Sequence, residues 1–384
     1  ILAQQQVGGK DTPVLYHAPK NGFFFTINRT NGKLIDAKPF VDGINWASGY
    51  DLATGRPIEN PEARFYKTGK PFIGNPGALG AHNWHPMSYN PKTGLVYIPA
   101  MQIPQAYIAE AGPLDARKPV GFNVGLSFPA GMLPDDPAVH RAAVAMTTGR
   151  LVAFDPRAGK VAWSVDYPAA WNGGTLTTAG NLVFQGTSMG RFRAYAADTG
   201  QQLLDLDMQS GIVSAPSTFR VGGVQYVAFM TSKGGAFPLV AGIAGGATRK
   251  VPNIPRLVIM KLGGGARLPA LPTASALDWT PPAPIGTAAT VASGKALYAR
   301  YCTVCHGDSA VGNGFTPDLR ISGTLASADV FGNVVLAGAL KDRGMVGFAN
   351  VLKPADAEAL RAYVIERSNW TKANLAAETA PVGR

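Results

Sequence analysis

Cys302-Thr303-Val304-Cys305-His306 decides the fold of the C-terminal part of this 384-residue chain. Two cysteines that are separated by two residues and followed at once by a histidine form the attachment signature of a c-type haem. Each thiol adds to one vinyl group of the haem, and the adjacent imidazole reaches the iron from one side. The motif therefore predicts a haem c that is covalently attached through Cys302 and Cys305 and whose iron is bound by His306.

Two other interpretations of the motif are weaker. A zinc site requires further ligands at a partner spacing, and the chain has only these two cysteines. A thioredoxin-like redox pair does not require the histidine that follows Cys305. The motif therefore favours haem over a structural metal or a redox disulfide.

The flanks of the motif predict a small helical domain. Residues 291–301 have the apolar spacing of a helix that leads into the motif, and Pro354 precedes an acidic first turn typical of a helix start. This pair resembles the terminal helices of class I cytochrome c folds. Met345 stands where that class places its second axial ligand, and a thioether ligand favours reduced iron. The alternative is that Met345 is a core residue.

Residues 1–262 predict an all-β structure, because short apolar strands alternate with Gly, Asp and Asn turns. One plan, a strand followed by an Asp or Asn turn and a glycine, recurs in the segments 25–33, 151–163 and 192–200, and the segments 90–98 and 179–186 are hairpin-like. Recurrence of a β unit favours the blades of a propeller. The spacing is irregular, so it gives no blade number and leaves a β-sandwich open.

Composition excludes some functions. The chain has 35 basic and 24 acidic residues and a net charge of +11, which fits a charged, soluble surface. No stripe of Lys and Arg interleaves with aromatic residues, so nucleic acid is not a predicted partner. No apolar run reaches the length of a membrane span, so none is predicted.

Four segments of the β-rich part carry a specific resemblance: 18–24 (Ala-Pro-Lys-Asn-Gly-Phe-Phe), 81–84 (Ala-His-Asn-Trp), 171–180 (Trp-Asn-Gly-Gly-Thr-Leu-Thr-Thr-Ala-Gly) and 209–212 (Gln-Ser-Gly-Ile). They resemble the PQQ-dependent quinoprotein alcohol dehydrogenases, and the fused cytochrome c domain is similar to the quinohaemoprotein members of that family. The resemblance implies an eight-bladed propeller that carries PQQ on its axis beside a calcium ion.

The resemblance also implies that the chain holds about the second half of that propeller. The family's catalytic aspartate motif, its adjacent cysteine pair and its calcium ligands do not occur here, so we expect them in a complementary N-terminal half. The expected organisation is a partial propeller over 1–262, a Gly/Pro-rich linker over 263–290 and an all-α class I cytochrome c domain over 291–384.

The resemblance assigns roles to five residues of the propeller. Lys20 matches the basic residue beside the quinone oxygens of PQQ, where a cation stabilises negative charge. Asn83 and Trp84 match positions at the polar rim of the cofactor, and Trp171 and Asn172 are weaker candidates that would serve blade packing equally well. The four histidines outside the haem motif are interpreted as packing or surface residues: His17, His82, His85 and His140.

The implied activity is the oxidation of an alcohol, with electrons leaving PQQ through the haem to an external acceptor. One alternative is a dehydrogenase for a bulkier polyol or alkaloid. Another is an electron-transfer cytochrome with a propeller remnant that docks a partner. Bacteria attach haem c outside the cytoplasm, so the expected location is the periplasm.

Overall fold

The structure, a computed structural model, describes residues 1–112, 124–271 and 279–379. The chain divides into two units. The first unit comprises Ile1–Tyr107, Met146–Gly235 and Gly246–Leu271, and the second comprises Ile108–Ala145, Ala236–Gly245 and Pro272–Arg384. The second unit therefore includes two segments from within residues 1–262. The boundaries at 262 and 290 that the sequence suggests stay a prediction.

The first unit is built from short strands. In chain order the strands are Leu2–Val7 (β1), Lys10–His17 (β2), Phe23–Asn28 (β3), Leu34–Pro39 (β4), Ala47–Asp51 (β5), Arg56–Glu59 (β6), Phe72–Gly74 (β7), Ser88–Asn90 (β8), Leu95–Gln102 (β9), Gln105–Tyr107 (β10), Thr148–Asp155 (β11), Lys160–Tyr167 (β12), Thr175–Thr178 (β13), Leu182–Gly186 (β14), Arg191–Ala196 (β15), Gln202–Asp207 (β16), Ser217–Val221 (β17), Val224–Thr231 (β18) and Arg256–Lys261 (β19).

Most of these strands form antiparallel sheets in chain order. Three sheets have four strands, with orders β1-β2-β3-β4, β8-β9-β11-β12 and β13-β14-β15-β16, and a fourth has the order β17-β18-β19. We number these sheets 1 to 4. Two-stranded pairs, β5 with β6 and β7 with β10, complete the sheets of the described residues. Successive four-stranded meanders are the blades that the recurring β unit predicts.

The recurring turn has a physical basis that the β11–β12 hairpin shows. The side chain of Asp155 accepts hydrogen bonds from the backbone N–H groups of Arg157 and Ala158, at 2.9 and 3.2 Å. Gly159 N–H then bonds to the Asp155 carbonyl with φ at +64°, a conformation that glycine adopts without strain. An Asx turn and a left-handed glycine thus join the strands, which explains why Asp or Asn and Gly recur at this spacing.

Consecutive sheets pack face to face, and β9 shows how. Val96, Ile98 and Ala100 point into a core shared with sheet 1. Leu95 and Tyr97, on the alternate positions, point into a core shared with sheet 3. A third core joins sheets 3 and 4, where the rings of Phe192 and Phe229 stack at 4.0 Å. A strand with both faces buried carries a nearly continuous apolar run, and each buried large side chain contributes about 1.5–3 kcal/mol.

The second unit is helical. Including one short helix of the first unit, the helices are Phe65–Thr68 (α1), Phe128–Gly131 (α2), Pro137–Met146 (α3), Phe237–Val240 (α4), Ala288–Tyr301 (α5), Thr303–His306 (α6), Ala328–Val335 (α7) and Pro354–Thr379 (α8). Short 3-10 turns lie at Pro61–Ala63, Gly242–Lys250, Asp308–Ala310, Leu319–Ile321, Gly323–Ala326 and Lys341–Arg343.

Helices α5 and α8 are the two that the sequence predicts, and they pack closely. A Cβ atom on Gly294 would lie 1.9 Å from the carbonyl oxygen of Ala359, so only glycine permits this approach. The rings of Tyr298 and Tyr363 meet nearby, with centroids 5.2 Å apart. A Thr287 capping box starts α5, and α8 begins at Pro354, as predicted.

The segment Ile108–Ala145 joins this helical core by polar contacts. Asp135 forms an ion pair with Arg367 of α8, and Arg141 donates to the Ala377 carbonyl at 2.7 Å. The backbone N–H of Leu133 donates to the Asp308 carboxylate at 2.8 Å, two residues after His306. A segment that follows β10 thus helps to build the surroundings of the haem motif.

Several described residues of the predicted linker 263–290 form hydrogen bonds with other parts of the chain. Pro269 accepts a hydrogen bond from Gln209 at 3.1 Å. Trp279 and Pro282 bond to α8 through Ser368 and Asn369, at 3.1 and 2.9 Å. Residues 272–278 lie outside the described residues. Among the helices that the structure describes, none is both long and apolar enough to cross a membrane.

Candidate functional site

The haem motif lies where α5 ends and the one-turn α6 begins. Backbone N–H groups of Cys305 and His306 bond to the Cys302 carbonyl at 3.1 and 2.9 Å, which places the motif on a single helical turn. Thr316 donates to the Cys305 carbonyl at 2.9 Å, and the buried Tyr298 hydroxyl donates to that of Gly307, also at 2.9 Å. The motif is therefore held from both sides.

Burial shifts the pKa values of two groups in the motif. Both cysteines are free, Cys302 half-buried and Cys305 exposed, and burial raises the pKa of the Cys302 thiol to about 12. The Cys302 thiol is therefore protonated at neutral pH. Burial also lowers the pKa of His306, with the Pro317 carbonyl opposing the shift, so the imidazole is neutral with a free lone pair. Within the described part of the chain its Nδ1 is buried without a hydrogen-bond partner. These residues fit a haem.

Met345 lies in the loop that follows the 3-10 turn Lys341–Arg343. It is half-buried, and its backbone N–H donates to the Leu340 carbonyl at 3.2 Å. Three residues later, Phe348 bonds to the Val335 carbonyl at 2.9 Å and its ring lies 6.3 Å from that of Tyr301. This anchors the Met345 loop beside the apolar end of α5. The role of Met345 as axial ligand stays a prediction.

The second candidate site lies in the first unit, where the structure brings together the segments of Lys20 and Asn83. Ala81 N–H bonds to the Lys20 carbonyl at 2.9 Å, and a Cβ on Gly80 would lie 2.6 Å from the Lys20 side chain. Lys20 is exposed, and its ammonium donates to the Ala78 carbonyl at 3.1 Å. Asn83 donates to the Leu79 carbonyl at 2.8 Å.

Trp84 and Trp171, which are 87 residues apart in sequence, meet through His85. The Trp84 ring stacks on His85 with centroids 4.2 Å apart, and the edge of Trp171 meets His85 at 4.8 Å. Trp84 is 54% exposed and Trp171 is 2% exposed. Trp171 has a φ of +64°, a strained conformation for a bulky residue. Its indole N–H donates to the Gly234 carbonyl at 2.9 Å.

Both polar atoms of the Asn172 side-chain amide form hydrogen bonds within the protein. Its Nδ2 donates to the Ala169 carbonyl at 2.9 Å, and its Oδ1 accepts from the Ser188 N–H at 3.0 Å. This arrangement joins the β12–β13 and β14–β15 connections. Its assignment as a PQQ contact stays a prediction.

His85 is the site residue for which the sequence gives no signal. It is 1% exposed, and neither ring nitrogen has a hydrogen-bond partner among the described residues. Burial, together with His82, lowers its pKa to about 3, so it is neutral. The described residues contain no group of three His, Cys, Asp or Glu side chains that could hold a metal ion.

An exposed flat indole, an exposed ammonium and a carboxamide therefore lie on neighbouring loops. Trp84 offers an apolar wall and Lys20 a positive charge. The Asn83 carboxamide donates to the Leu79 carbonyl and accepts from the Trp84 N–H, which leaves one amide N–H for a ligand. The orphaned nitrogens of His85 lie directly beneath the Trp84 ring. These residues fit a flat, acidic quinone such as PQQ.

Comparison with known proteins matches both units. Residues 289–364 match the family described as cytochrome C oxidase, cbb3-type, subunit III, and residues 168–227 match the glucose/ethanol/alcohol dehydrogenase β-propeller domain. The chain is 46% identical over 370 residues to quinohemoprotein alcohol dehydrogenase ADH IIB of Pseudomonas putida, which covers 95% of this chain and 51% of the relative. Over nearly its whole length the chain is thus similar to the quinohaemoprotein alcohol dehydrogenases.

Other relatives of the family agree. The dehydrogenase subunit of the quinone alcohol dehydrogenase of Acetobacter aceti is 41% identical over 95% of this chain and 49% of its own. The solved structure of ADHIIG from Pseudomonas putida has a TM-score of 0.92 at 39% identity, covering 98% of this chain and 55% of that one. The quinohemoprotein alcohol dehydrogenase of Comamonas testosteroni has a TM-score of 0.74 at 38% identity, covering 96% and 52%.

These matches confirm the predicted fold class, a propeller portion followed by a cytochrome c domain. The chain spans about half the length of the curated relatives it matches. The positions of the individual cofactor contacts stay predictions.

Proposed function

We propose that this chain is part of a PQQ-dependent quinohaemoprotein alcohol dehydrogenase of the bacterial periplasm. The observation that carries the proposal is that one chain holds both a haem-attachment turn with a neutral histidine and the Lys20–Trp84–Trp171 cluster. The residues that hold haem c in this proposal are Cys302, Cys305, His306 and Met345. Those that contact PQQ are Lys20, Asn83, Trp84, Trp171 and Asn172.

On this proposal the chain's residues bind and orient cofactors that carry the redox chemistry. PQQ supplies a two-electron acceptor for the oxidation of an alcohol to an aldehyde, and haem c supplies one-electron transfer to an external acceptor. Lys20 stabilises negative charge on the quinone oxygens. His306 offers a neutral nitrogen to the iron, and a Met345 thioether favours its reduced state. We expect the base that takes the hydroxyl proton, and the calcium ligands, in a complementary N-terminal half.

The last sheet supports the need for that half. Strand β19 is apolar on both faces, because Val258 and Met260 pack into the core with sheet 3 while Leu257 and Ile259 point outward. Leu257 is 62% exposed and Ile259 53%. The same face exposes Val221, Val224 and Met230. A strand with this pattern is typical of a sheet covered on both sides. The occupant that we propose is a further blade of the complementary half.

Replacing Ile259 with lysine should therefore weaken assembly with the complementary half. Burying an unpaired ammonium against an apolar sheet costs several kcal/mol, so we expect at least about a tenfold higher Kd. The measurement is titration of the two separately expressed halves. Leu203→Lys is the matched control, because Leu203 is 52% exposed on sheet 3. Equal Kd values for both variants would contradict the proposed face.

The activity itself is tested by the visible spectrum of the haem. We expect a primary alcohol to reduce the haem of the assembled protein when PQQ and calcium are supplied, and to leave it oxidised without PQQ. Dithionite gives the fully reduced reference. If dithionite reduces the haem but no primary alcohol or polyol does, the result would support an electron-transfer cytochrome instead.

A further inference from the structure

A segment of the second unit, residues 128–146, lies against the helical core that carries the haem motif. It consists of α2, a short connection and α3, and it belongs to the part of the chain between β10 and β11. Helix α2 contacts α5. The side chain of Met132 packs on the apolar cluster around Tyr298, and Cys302 of the haem motif packs on the same cluster. The 128–146 segment is therefore part of the surroundings of the haem motif.

Asp135 fastens this segment to two helices of the core. Its carboxylate forms an ion pair with Arg367 of α8 and another, at 3.3 Å, with Lys295 of α5. The Arg367 side chain is only 3% exposed, pairs also with Glu366 at 2.6 Å, and lies 5.2 Å from the centre of the Trp370 ring. A buried guanidinium requires its carboxylate partners, because losing one leaves charge uncompensated. Arg367 therefore holds Asp135 in one place.

The same segment reaches the residues that follow the haem motif. Two residues before Asp135, the backbone N–H of Leu133 donates to the carboxyl group of Asp308 at 2.8 Å. Asp308 itself stands two residues after His306. Since Leu133 and Asp135 are so close along the chain, the ion pair with Arg367 determines where the Leu133 N–H can point.

These contacts keep water away from one side of the haem motif. Met132 supplies apolar surface, and the Leu133 N–H satisfies a carboxyl oxygen of Asp308 that would otherwise require a water molecule. Solvent access and the local dielectric are two of the means by which a protein sets the potential of a metal centre. Water beside the haem stabilises ferric iron, which carries the larger charge, so its exclusion raises the potential.

We propose that Asp135 is a positioning residue for the haem. Through its ion pair with Arg367 it keeps the 128–146 segment on the haem motif, and so keeps the haem potential high enough to accept electrons from the reduced quinone. It acts through Leu133 and not as a ligand of the iron. The proposal rests on the proposed function, because it requires a covalent haem at residues 302–306.

Asp135→Asn in the assembled, haem-loaded protein tests the proposal, with the midpoint potential of the haem as the readout. The change removes the charge that Arg367 binds and keeps the size of the side chain. We expect the ratio of reduced to oxidised haem at a fixed applied potential to fall about tenfold, which corresponds to a midpoint about 59 mV lower. Asp135→Glu, which keeps the charge, should restore most of the potential.

The sign of the shift separates positioning from a simple charge effect. Removing a negative charge favours ferrous iron by Coulomb's law and would raise the potential. Glu358→Gln is the matched control, because Glu358 forms an ion pair at 2.7 Å with Arg361, another arginine of α8 that is 11% exposed. Both variants remove one carboxylate charge from an arginine of the same helix. Glu358→Gln should not lower the potential.

Leu133→Pro tests the other end of the segment and leaves the Asp135 ion pair in place. It removes the N–H that Asp308 accepts. Met132 has φ of −66° and ψ of 143°, the extended conformation that a residue before proline favours, so the backbone accepts the change. We expect a fall in potential in the same direction as for Asp135→Asn. Leu133→Ala, which keeps the N–H, should leave the potential unchanged.

The outcomes separate this proposal from the proposed function. If Asp135→Asn raises the haem potential or leaves it unchanged, Asp135 has no positioning role. If too little haem-loaded Asp135→Asn protein forms for a titration, Leu133→Pro decides, and an unchanged potential in that variant overturns the proposal. A parent protein that carries no covalent haem would instead refute the proposed function.

Discussion

Replacing His306 with alanine should abolish electron transfer from alcohol to the external acceptor and leave the haem attached. The two thioether bonds through Cys302 and Cys305 do not involve the imidazole, so the haem stays on the chain. The iron loses its neutral nitrogen ligand, which alters its spin state and its potential. The measurements are the visible spectrum, denaturing electrophoresis stained for haem, and turnover with an artificial acceptor. A normal low-spin spectrum in His306→Ala would refute the assignment.

Met345→Ala tests the second predicted iron ligand in the same way. Loss of a thioether ligand should lower the reduction potential and remove the methionine-to-iron charge-transfer band. Met146→Ala is the matched control, because Met146 is 51% exposed at the end of α3. If Met345→Ala leaves both potential and band unchanged, Met345 is a core residue, which is the alternative that the sequence left open.

The sequence predicts the local structure of this protein well, because local chemistry determines it. The Asx turn at Asp155 and the left-handed Gly159 form from adjacent residues, so their pattern signals a hairpin wherever it recurs. Helices α5 and α8 follow from apolar spacing and, for α8, from the helix start at Pro354; α5 begins at Ala288, three residues before the predicted 291, because Thr287 caps it. These features require no knowledge of distant partners.

The segment Ile108–Ala145 could not be predicted in the same way. Its place in the helical unit depends on Asp135 meeting Arg367 and on Arg141 reaching Ala377, contacts that span more than two hundred residues. Nothing in the local pattern distinguishes α3 from a surface helix between two blades. The described parts of the predicted linker 263–290 were equally hard to predict, because their hydrogen bonds to Gln209 and to α8 have no local sequence signature.

The two candidate sites also differ in whether adjacent or distant residues form them. The haem motif is contiguous, so one five-residue stretch identifies it. The quinone cluster forms only when distant loops meet, as Trp84 and Trp171 do across His85. A buried histidine without partners has the same sequence appearance as one that packs ordinarily. The sequence therefore predicts only a packing role for His85, and the structure adds that neither of its ring nitrogens has a hydrogen-bond partner among the described residues.

Lys20→Ala should lower kcat for alcohol oxidation by about 10²–10³-fold, the usual cost of losing one group that stabilises developing oxyanion charge. Haem content and the dithionite-reduced spectrum should stay normal, because Lys20 belongs to the first unit and the haem motif to the second. The measurement is steady-state turnover, with PQQ content quantified so that weak binding is separated from slow chemistry. Lys20→Arg, which keeps the charge, should recover part of the rate.

Lys92→Ala is the matched control for Lys20. Both lysines are exposed, and both donate to a backbone carbonyl, Lys20 to Ala78 at 3.1 Å and Lys92 to Ala179 at 3.0 Å. A general effect of removing a surface charge, or of losing one such hydrogen bond, would therefore appear equally in both variants. A specific role beside the quinone predicts a large loss of kcat in Lys20→Ala and none in Lys92→Ala. Equal and small losses would mean that Lys20 only anchors the loop before Ala81, and the PQQ-contacting residues would have to be sought elsewhere in the cluster around Trp84.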